Sequence, residues 1–227
     1  MTTPRPTVSE AEPAITLVCW RRVAKRLLDV AVATVTLLLL APLIAVVAAA
    51  VRVFVGSPVI FRQMRPGLGE RPFCILKFRT MRDAIGDNGR TLPDAERLTR
   101  LGSILRKLSL DEIPELVNVL RGDMSLVGPR PLLIRYLPYF TDRERARFSV
   151  RPGITGLAQI SGRNEVSWSQ RLAYDVEYVE RWSLGLDVRI LARTVAIVFT
   201  ARGAVPDANS IMVDLDQERA HPAESHP

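Results

Sequence analysis

Residues 30–51 (VAVATVTLLLLAPLIAVVAAAV) contain no charged side chain, and no other segment restricts the fold as much. A helix of that length rises about 33 Å, enough for the hydrocarbon core of a bilayer. Its flanks add a second constraint. Arg21, Arg22, Lys25 and Arg26 precede the run, and Arg52, Arg62 and Arg65 follow it. Basic residues favour the cytoplasmic side, so both ends point to the same side of the membrane. Pro42 lies near the middle of the run. It removes one backbone hydrogen bond and crowds the preceding turn, so a bend is expected there. A bent helix can enter and leave by one face. On these residues alone, a spanning helix with a tolerated proline stands equally beside that re-entrant one. A cleaved signal peptide fits poorly, because the run is long and starts late.

The rest of the chain reads as one domain. Lys plus Arg number 31 against 24 Asp plus Glu, a net charge of +7. That balance suits nucleic acid, anionic lipid or phosphorylated substrates, and the charge-free run argues against nucleic acid. The two cysteines, Cys19 and Cys74, form no CxxC pair, and both histidines, His221 and His226, lie in the polar C-terminal tail. A disulfide framework, a thiolate zinc site and a histidine-based triad are therefore disfavoured, and acid–base chemistry falls to carboxylates. There is no Walker or Rossmann glycine motif.

The expected fold is mainly α with a small β-hairpin. Residues 1–19 read as a disordered arm and 20–56 as a membrane-anchoring helix. A catalytic domain follows over 57–203, then a flexible tail over 204–227. Val59–Gln63 and Phe73–Arg79 flank a Pro/Gly turn, the pattern of a hairpin. Leu98, Leu101, Ile104, Leu105 and Leu108 recur at helical spacing, and 114–120 form a second short helix. Tyr136, Tyr139 and Phe140 among arginines predict a helix at the membrane surface over 132–148, or a solvated face over a core stripe. Residues 151–164 read as loop. In 166–200, Trp168, Tyr174, Tyr178 and Trp182 alternate with charges before an apolar helix from Val188 to Thr200.

The sharpest chemical signal is Arg106-Lys107-Leu108-Ser109-Leu110-Asp111-Glu112-Ile113-Pro114. Adjacent carboxylates after a basic helix can supply a nucleophile or metal ligand and a charge partner. The competing reading is a capping box, Ser109-x-x-Glu112, with Asp111 favouring a helix start. Lys77 and Arg79 close the hairpin, and Arg130 sits between Pro129 and Pro131, which restrict its backbone. Several cations with a carboxylate pair beside a membrane segment point to a diphosphate substrate with a metal ion.

These motifs carry a resemblance. The order basic pair, apolar run with central proline, LKFRTM, RKLSLDEIPELVNVLRGDMSLVGPRP and RPGITGLAQISGRN resembles the bacterial sugar transferase family. These are small monotopic polyprenyl-phosphate phosphoglycosyl transferases. The likeness runs over roughly 20–203. It implies a membrane enzyme on the cytoplasmic face that transfers a sugar 1-phosphate from a UDP-sugar to polyprenyl phosphate, undecaprenyl by default. UMP would be released and Mg²⁺ required. Asp111 would be the nucleophile and touch the metal. Glu112 would complete the dyad, paired with Lys77. Lys77, Arg79, Arg106 and Arg130 would hold phosphate, and Arg163 the nucleotide end. Lys25 and Arg26 would anchor a re-entrant helix at the head groups, bent at Pro42. Membrane lipids and downstream glycosyltransferases are the implied partners. The family often has Ser-Pro at the break; this chain has Ala41-Pro42, so no hydroxyl is present to satisfy the freed carbonyl. The reading from a different class is an inactive membrane scaffold for polysaccharide assembly, which would not need the carboxylates.

Overall fold

The computed structural model describes residues 8–83, 92–161, 167–200 and 214–220, with only the backbone of 8–19 and 198–200. Helix α1 (Val8–Phe54) leads into an antiparallel hairpin of β1 (Ile60–Pro66) and β2 (Pro72–Phe78). Then come α2 (Asp94–Arg97), α3 (Arg100–Lys107), a 3₁₀ turn (Leu110–Glu112) and α4 (Glu115–Arg121). Strand β3 (Ser125–Val127) precedes a 3₁₀ stretch (Ile134–Tyr139) and α5 (Asp142–Arg145). The order closes with β4 (Gly153–Thr155), α6 (Leu157–Ser161), α7 (Trp168–Glu180), α8 (Leu184–Thr200) and α9 (Leu215–Ala220). The mainly α fold with a small β part is as expected.

α1 is continuous through Pro42, which sits on its outer, exposed side. Its inner side follows the domain along most of its length. Asp29 accepts from Ser125 Oγ at 2.8 Å and Leu126 N at 3.1 Å. Ala33, Leu37, Leu40 and Ile44 pack on the main core with Leu116, Val119 and Tyr178. Val47, Val51 and Val55 pack on Phe78 and Leu105. Both ends of the apolar run therefore dock on the same domain. A helix that crossed a bilayer and left the domain behind would strand one of them. The outer side is apolar too: Leu38, Leu39, Val46 and Val53 are each more than 60% exposed. So long an apolar face has no place in water.

Four stretches depart from the sequence reading. The expected arm is helical from Val8 onward, as an extension of α1; residues 1–7 lie outside the described residues. The surface helix expected over 132–148 is instead a succession of short turns around Pro138. Its aromatics are core: Tyr136, Phe140 and Phe148 pack with Trp168, Leu172 and Leu215. Burying these rings removes their large apolar area from water. The tail also folds back in part. Leu215 is fully buried, Arg219 pairs with Glu144, and Asp214 meets Arg135 and Tyr136.

The stretch read as loop over 151–164 contains β4, paired in parallel with β3, and helix α6. Glycines permit the pairing. A Cβ on Gly153 would lie 2.1 Å from Gly128 N, and one on Gly128 would lie 2.4 Å from Arg151 O. Strands this short, read alone, carry no alternation signal.

Candidate active site

After Lys107 the chain must reverse, and Ser109 does this in the left-handed region (φ 56°). Its side chain makes no capping bond. The capping box is thus not formed, and α4 starts at Glu115 instead, with Pro114 before it. Asp111 and Glu112 are held on a tight 3₁₀ turn whose apolar residues Leu110 and Ile113 are packed in the core. Successive 3₁₀ side chains diverge by about 120°, so the two carboxylates meet different surroundings.

Glu112 is clamped. Lys77 Nζ lies 2.8 Å from its Oε1, and Arg130 donates through both Nη1 and Nη2. Strand alternation sets Lys77, which shares a face of β2 with buried Phe73 and Ile75. Asn118 locks β2 to α4: it accepts from Leu76 N at 3.0 Å and donates to Cys74 O at 2.7 Å. Arg130 is steadied from behind, where its carbonyl accepts from Arg147 Nη2 at 2.6 Å. Burial opposes ionisation of Glu112, but Arg130 and Lys77 overcome it and hold the carboxyl far below the usual range.

Asp111 is different. It is 7% exposed and has no hydrogen bond or ion pair among the described residues. Burial, then the Glu112 charge, push its carboxyl up; Lys77, Arg106 and Arg130 pull the other way. Glu115, the first residue of α4, is a third acid that the sequence reading passed over. Its Oε1 is 3.1 Å from Lys77 Nζ, in a direction that makes no hydrogen bond. Burial and Glu112 push it up to about 7. The site thus separates its acids: one permanent anion, one proton holder and one unclaimed carboxylate.

Asp111 opens into a polar cavity of about 720 Å³, lined also by Lys77, Arg79, Arg106 and Arg130. The expected phosphate-binding set is therefore together. Arg106 is oriented by Thr80 Oγ1 at 3.1 Å. Arg79 is partly engaged, donating to Ser57 O and Asp83. Arg163 lies outside the described residues. Arg65, Arg135 and Asp214 also line the cavity, although nothing in their local sequence marks them. A second cavity, of about 480 Å³, also reaches Glu112 and is bordered by Thr36 and Leu40 of α1. Arg106, Ser109, Glu112 and Arg130 line both.

Lys25 and Arg26, expected to face head groups, are engaged by the domain itself. Lys25 pairs with Asp187 at 2.7 Å and donates to Val127 O. Arg26 donates to Val119 O and Leu120 O at the end of α4. Unpaired carbonyls at a helix C-terminus attract cations, so these residues pin α1 to the domain. Arg21 and Arg22 remain exposed.

The profile of the family described as bacterial sugar transferase matches residues 20–201. The chain belongs to this family. It is 50% identical over 181 residues to an uncharacterised sugar transferase, EpsL, of Bacillus subtilis, covering 80% of this chain and 90% of that one. It is 44% identical over 190 residues to a UDP-glucose:undecaprenyl-phosphate glucose-1-phosphate transferase of Caulobacter vibrioides, covering 79% and 71%. An exopolysaccharide production protein, ExoY, of Rhizobium meliloti is 41% identical over 198 residues, covering 80% and 88%. The bacterial sugar transferase match runs from Trp20, within α1, through α8 and includes the dyad and its clamp.

Proposed function

We propose that this protein is a membrane phosphoglycosyl transferase that moves a sugar 1-phosphate from a UDP-sugar to polyprenyl phosphate in two steps. The supporting observation is the division of labour in the dyad: Glu112 is held by two cations, while Asp111 faces the polar cavity unpaired. An Asp111 oxygen attacks the sugar-bearing phosphorus, and the bond to the UMP oxygen breaks. An acceptor phosphate oxygen then attacks the same phosphorus, expelling Asp111 as the carboxylate. Two steps avoid direct approach of two anionic phosphates. Arg106 and Arg130 neutralise the phosphoryl oxygens, which makes positioning and charge the main catalytic terms.

Mg²⁺ fits this site in one way only. No group of three or more potential ligand side chains occurs among the described residues. The ion would rest on Asp111, with diphosphate oxygens and water completing its shell, as is usual for Mg²⁺ on phosphate substrates. When bound it supplies charge neutralisation at the diphosphate.

The apolar outer face of α1 enters the bilayer from the cytoplasmic side, with both termini in the cytoplasm. UDP-glucose is the first donor to test, because it appears in the relatives' names. The protein in nanodiscs, given UDP-glucose and undecaprenyl phosphate, should release UMP and lose that activity on chelation. A protein with an inert site, acting as a scaffold for polysaccharide assembly, would release none with any UDP-sugar.

A further inference from the structure

At about 720 Å³ the polar cavity that Asp111 faces has room for a ligand much larger than a diphosphate. Lys77, Arg106 and Arg130 account for the phosphates, so the rest of the wall must meet the hydroxyl-bearing parts of the donor. A carboxylate suits them, because it only accepts hydrogen bonds. Outside the dyad, the acids that line this cavity among the described residues are Asp83, Asp94 and Asp214. The side chains of Asp83 and Asp94 are more than 70% exposed and meet only Arg79 and Arg97 there.

Asp214 is far better fixed. Arg135 pairs with it, and Arg135 Nε also meets Asp216 at 3.3 Å. The hydroxyl of buried Tyr136 donates to Asp214 Oδ1 at 2.5 Å. The next residue, Leu215, is fully buried in the cluster of Tyr136, Phe140 and Leu172. Arg219 ties the other end of α9 to Glu144 and to Tyr139 O. An exposed ion pair contributes little to stability, and Leu215 with Arg219 already docks α9. What the Asp214 contacts add is a carboxylate held still at the cavity wall. Arg135 takes one acceptor position on its Oδ2 and Tyr136 one on its Oδ1, and each oxygen keeps a second. Two such positions on one fixed carboxylate match a pair of vicinal hydroxyls. The side chain is 41% exposed, so a ligand can reach it. α9 also lies beyond residue 201, where the family match ends.

We propose that Asp214 binds the donor through a vicinal diol, that of its ribose or of the sugar to be transferred, and so adds donor recognition from outside the residues matched by the family. The proposal rests on the reading of a UDP-sugar donor above.

Asp214→Asn keeps the shape of the side chain and leaves an oxygen for Tyr136. Its unfolding temperature should stay within about 2 °C of wild type; a fall of more than about 5 °C would make Asp214 a structural residue and overturn the proposal. The KM for UDP-glucose should rise about tenfold, the scale of one hydrogen bond to a charged group. The KM for undecaprenyl phosphate should not move. Asp216→Asn is the control, since Asp216 also meets Arg135 but is not among the residues lining the cavity; it should move neither KM. An equal rise in Asp216→Asn, or a rise in both KM values of Asp214→Asn, would show an effect through Arg135 or the fold and overturn the proposal. Titration separates this outcome from failure of the reaction itself. It uses Asp111→Asn protein with Mg²⁺, in which the first step is blocked, and UDP and UDP-glucose as probes. Adding Asp214→Asn should weaken UDP-glucose about tenfold. Equal weakening of UDP assigns the diol to the ribose, and weakening of UDP-glucose alone assigns it to the sugar. Unchanged or tighter binding of both, where Asp111→Asn alone binds them, refutes the role of Asp214 and leaves the two-step reading intact. Asp111→Asn protein that binds neither probe refutes both.

Discussion

Glu112→Gln is the most informative single change. The substitution keeps the shape and removes one negative charge from between Lys77 and Arg130. Removing one partner of a buried ion pair costs about 3–5 kcal/mol. Two features reduce that here. The Arg130 side chain is 38% exposed, so water screens part of its loss. Glu115 is 3.1 Å from Lys77 and, freed of the Glu112 charge, ionises more readily and takes Lys77 over. About 2 kcal/mol remains, mostly from Arg130. For a chain of this size that lowers the unfolding temperature by about 4–8 °C. Chemistry should suffer as well. Arg130 would turn to Asp111, whose carboxyl would fall and become a weaker nucleophile; a rate loss of about 10- to 100-fold corresponds to about 1.4–2.7 kcal/mol. Thermal unfolding in nanodiscs and UMP release read the two effects separately. Adding Arg130→Met should restore part of the stability but none of the activity. An unchanged melting temperature together with wild-type UMP release would refute the clamp.

The acids also set a pH dependence. Folded Glu115 keeps its proton up to about pH 7, whereas an unfolded glutamate releases it near 4.5. Its contribution therefore weakens as pH rises across that window, and Glu115→Gln should gain stability over wild type at pH 8 but not at pH 4; a pH-independent difference in melting temperature contradicts this. Asn118 is fully buried, and Asn118→Ala leaves Leu76 N and Cys74 O, on half-buried residues, unpaired. It should cost about 3 kcal/mol in denaturant unfolding, and a cost below 1 kcal/mol would show that α4 does not hold the hairpin. For topology, Glu10→Cys and Arg90→Cys, in a chain with Cys19→Ser and Cys74→Ser, should both resist an impermeant thiol reagent in intact cells. Labelling of one but not the other would establish a spanning helix.

The dyad, its cations and the hairpin were legible because each rests on short-range pattern: strand alternation for Lys77, flanking prolines for Arg130, a basic helix before Asp111. The rest depended on tertiary contacts. Lys25 and Arg26 look like membrane anchors until the carbonyls of Val119 and Leu120 and the carboxylate of Asp187 are seen beside them. The aromatics at 136–148 have the composition of an interfacial helix, but Pro138 and the partners Trp168 and Leu215 turn them into core. Ser109-x-x-Glu112 matches a capping box by spacing. The left-handed Ser109 breaks it, and no residue type at that position announces this. Glu115 was overlooked because a glutamate at a helix start is ordinary; only its approach to Lys77 makes it part of the site.

The central claim is that Asp111 carries the sugar phosphate between two substrates. The direct measurement is intact-mass analysis of purified enzyme incubated with UDP-glucose and Mg²⁺ but no lipid acceptor, followed by peptide mapping after rapid acid quench. Wild-type protein should gain the mass of a hexose phosphate on the peptide that contains Asp111, and should lose it when undecaprenyl phosphate is added. Asp111→Asn should remain folded, gain no mass and release no UMP. The substitution nearly preserves size, and the side chain has no hydrogen bond or ion pair among the described residues to lose, so a merely structural aspartate would tolerate it. Near-normal turnover by Asp111→Asn, or turnover in wild type with no adduct on that peptide under any quench, would contradict the account.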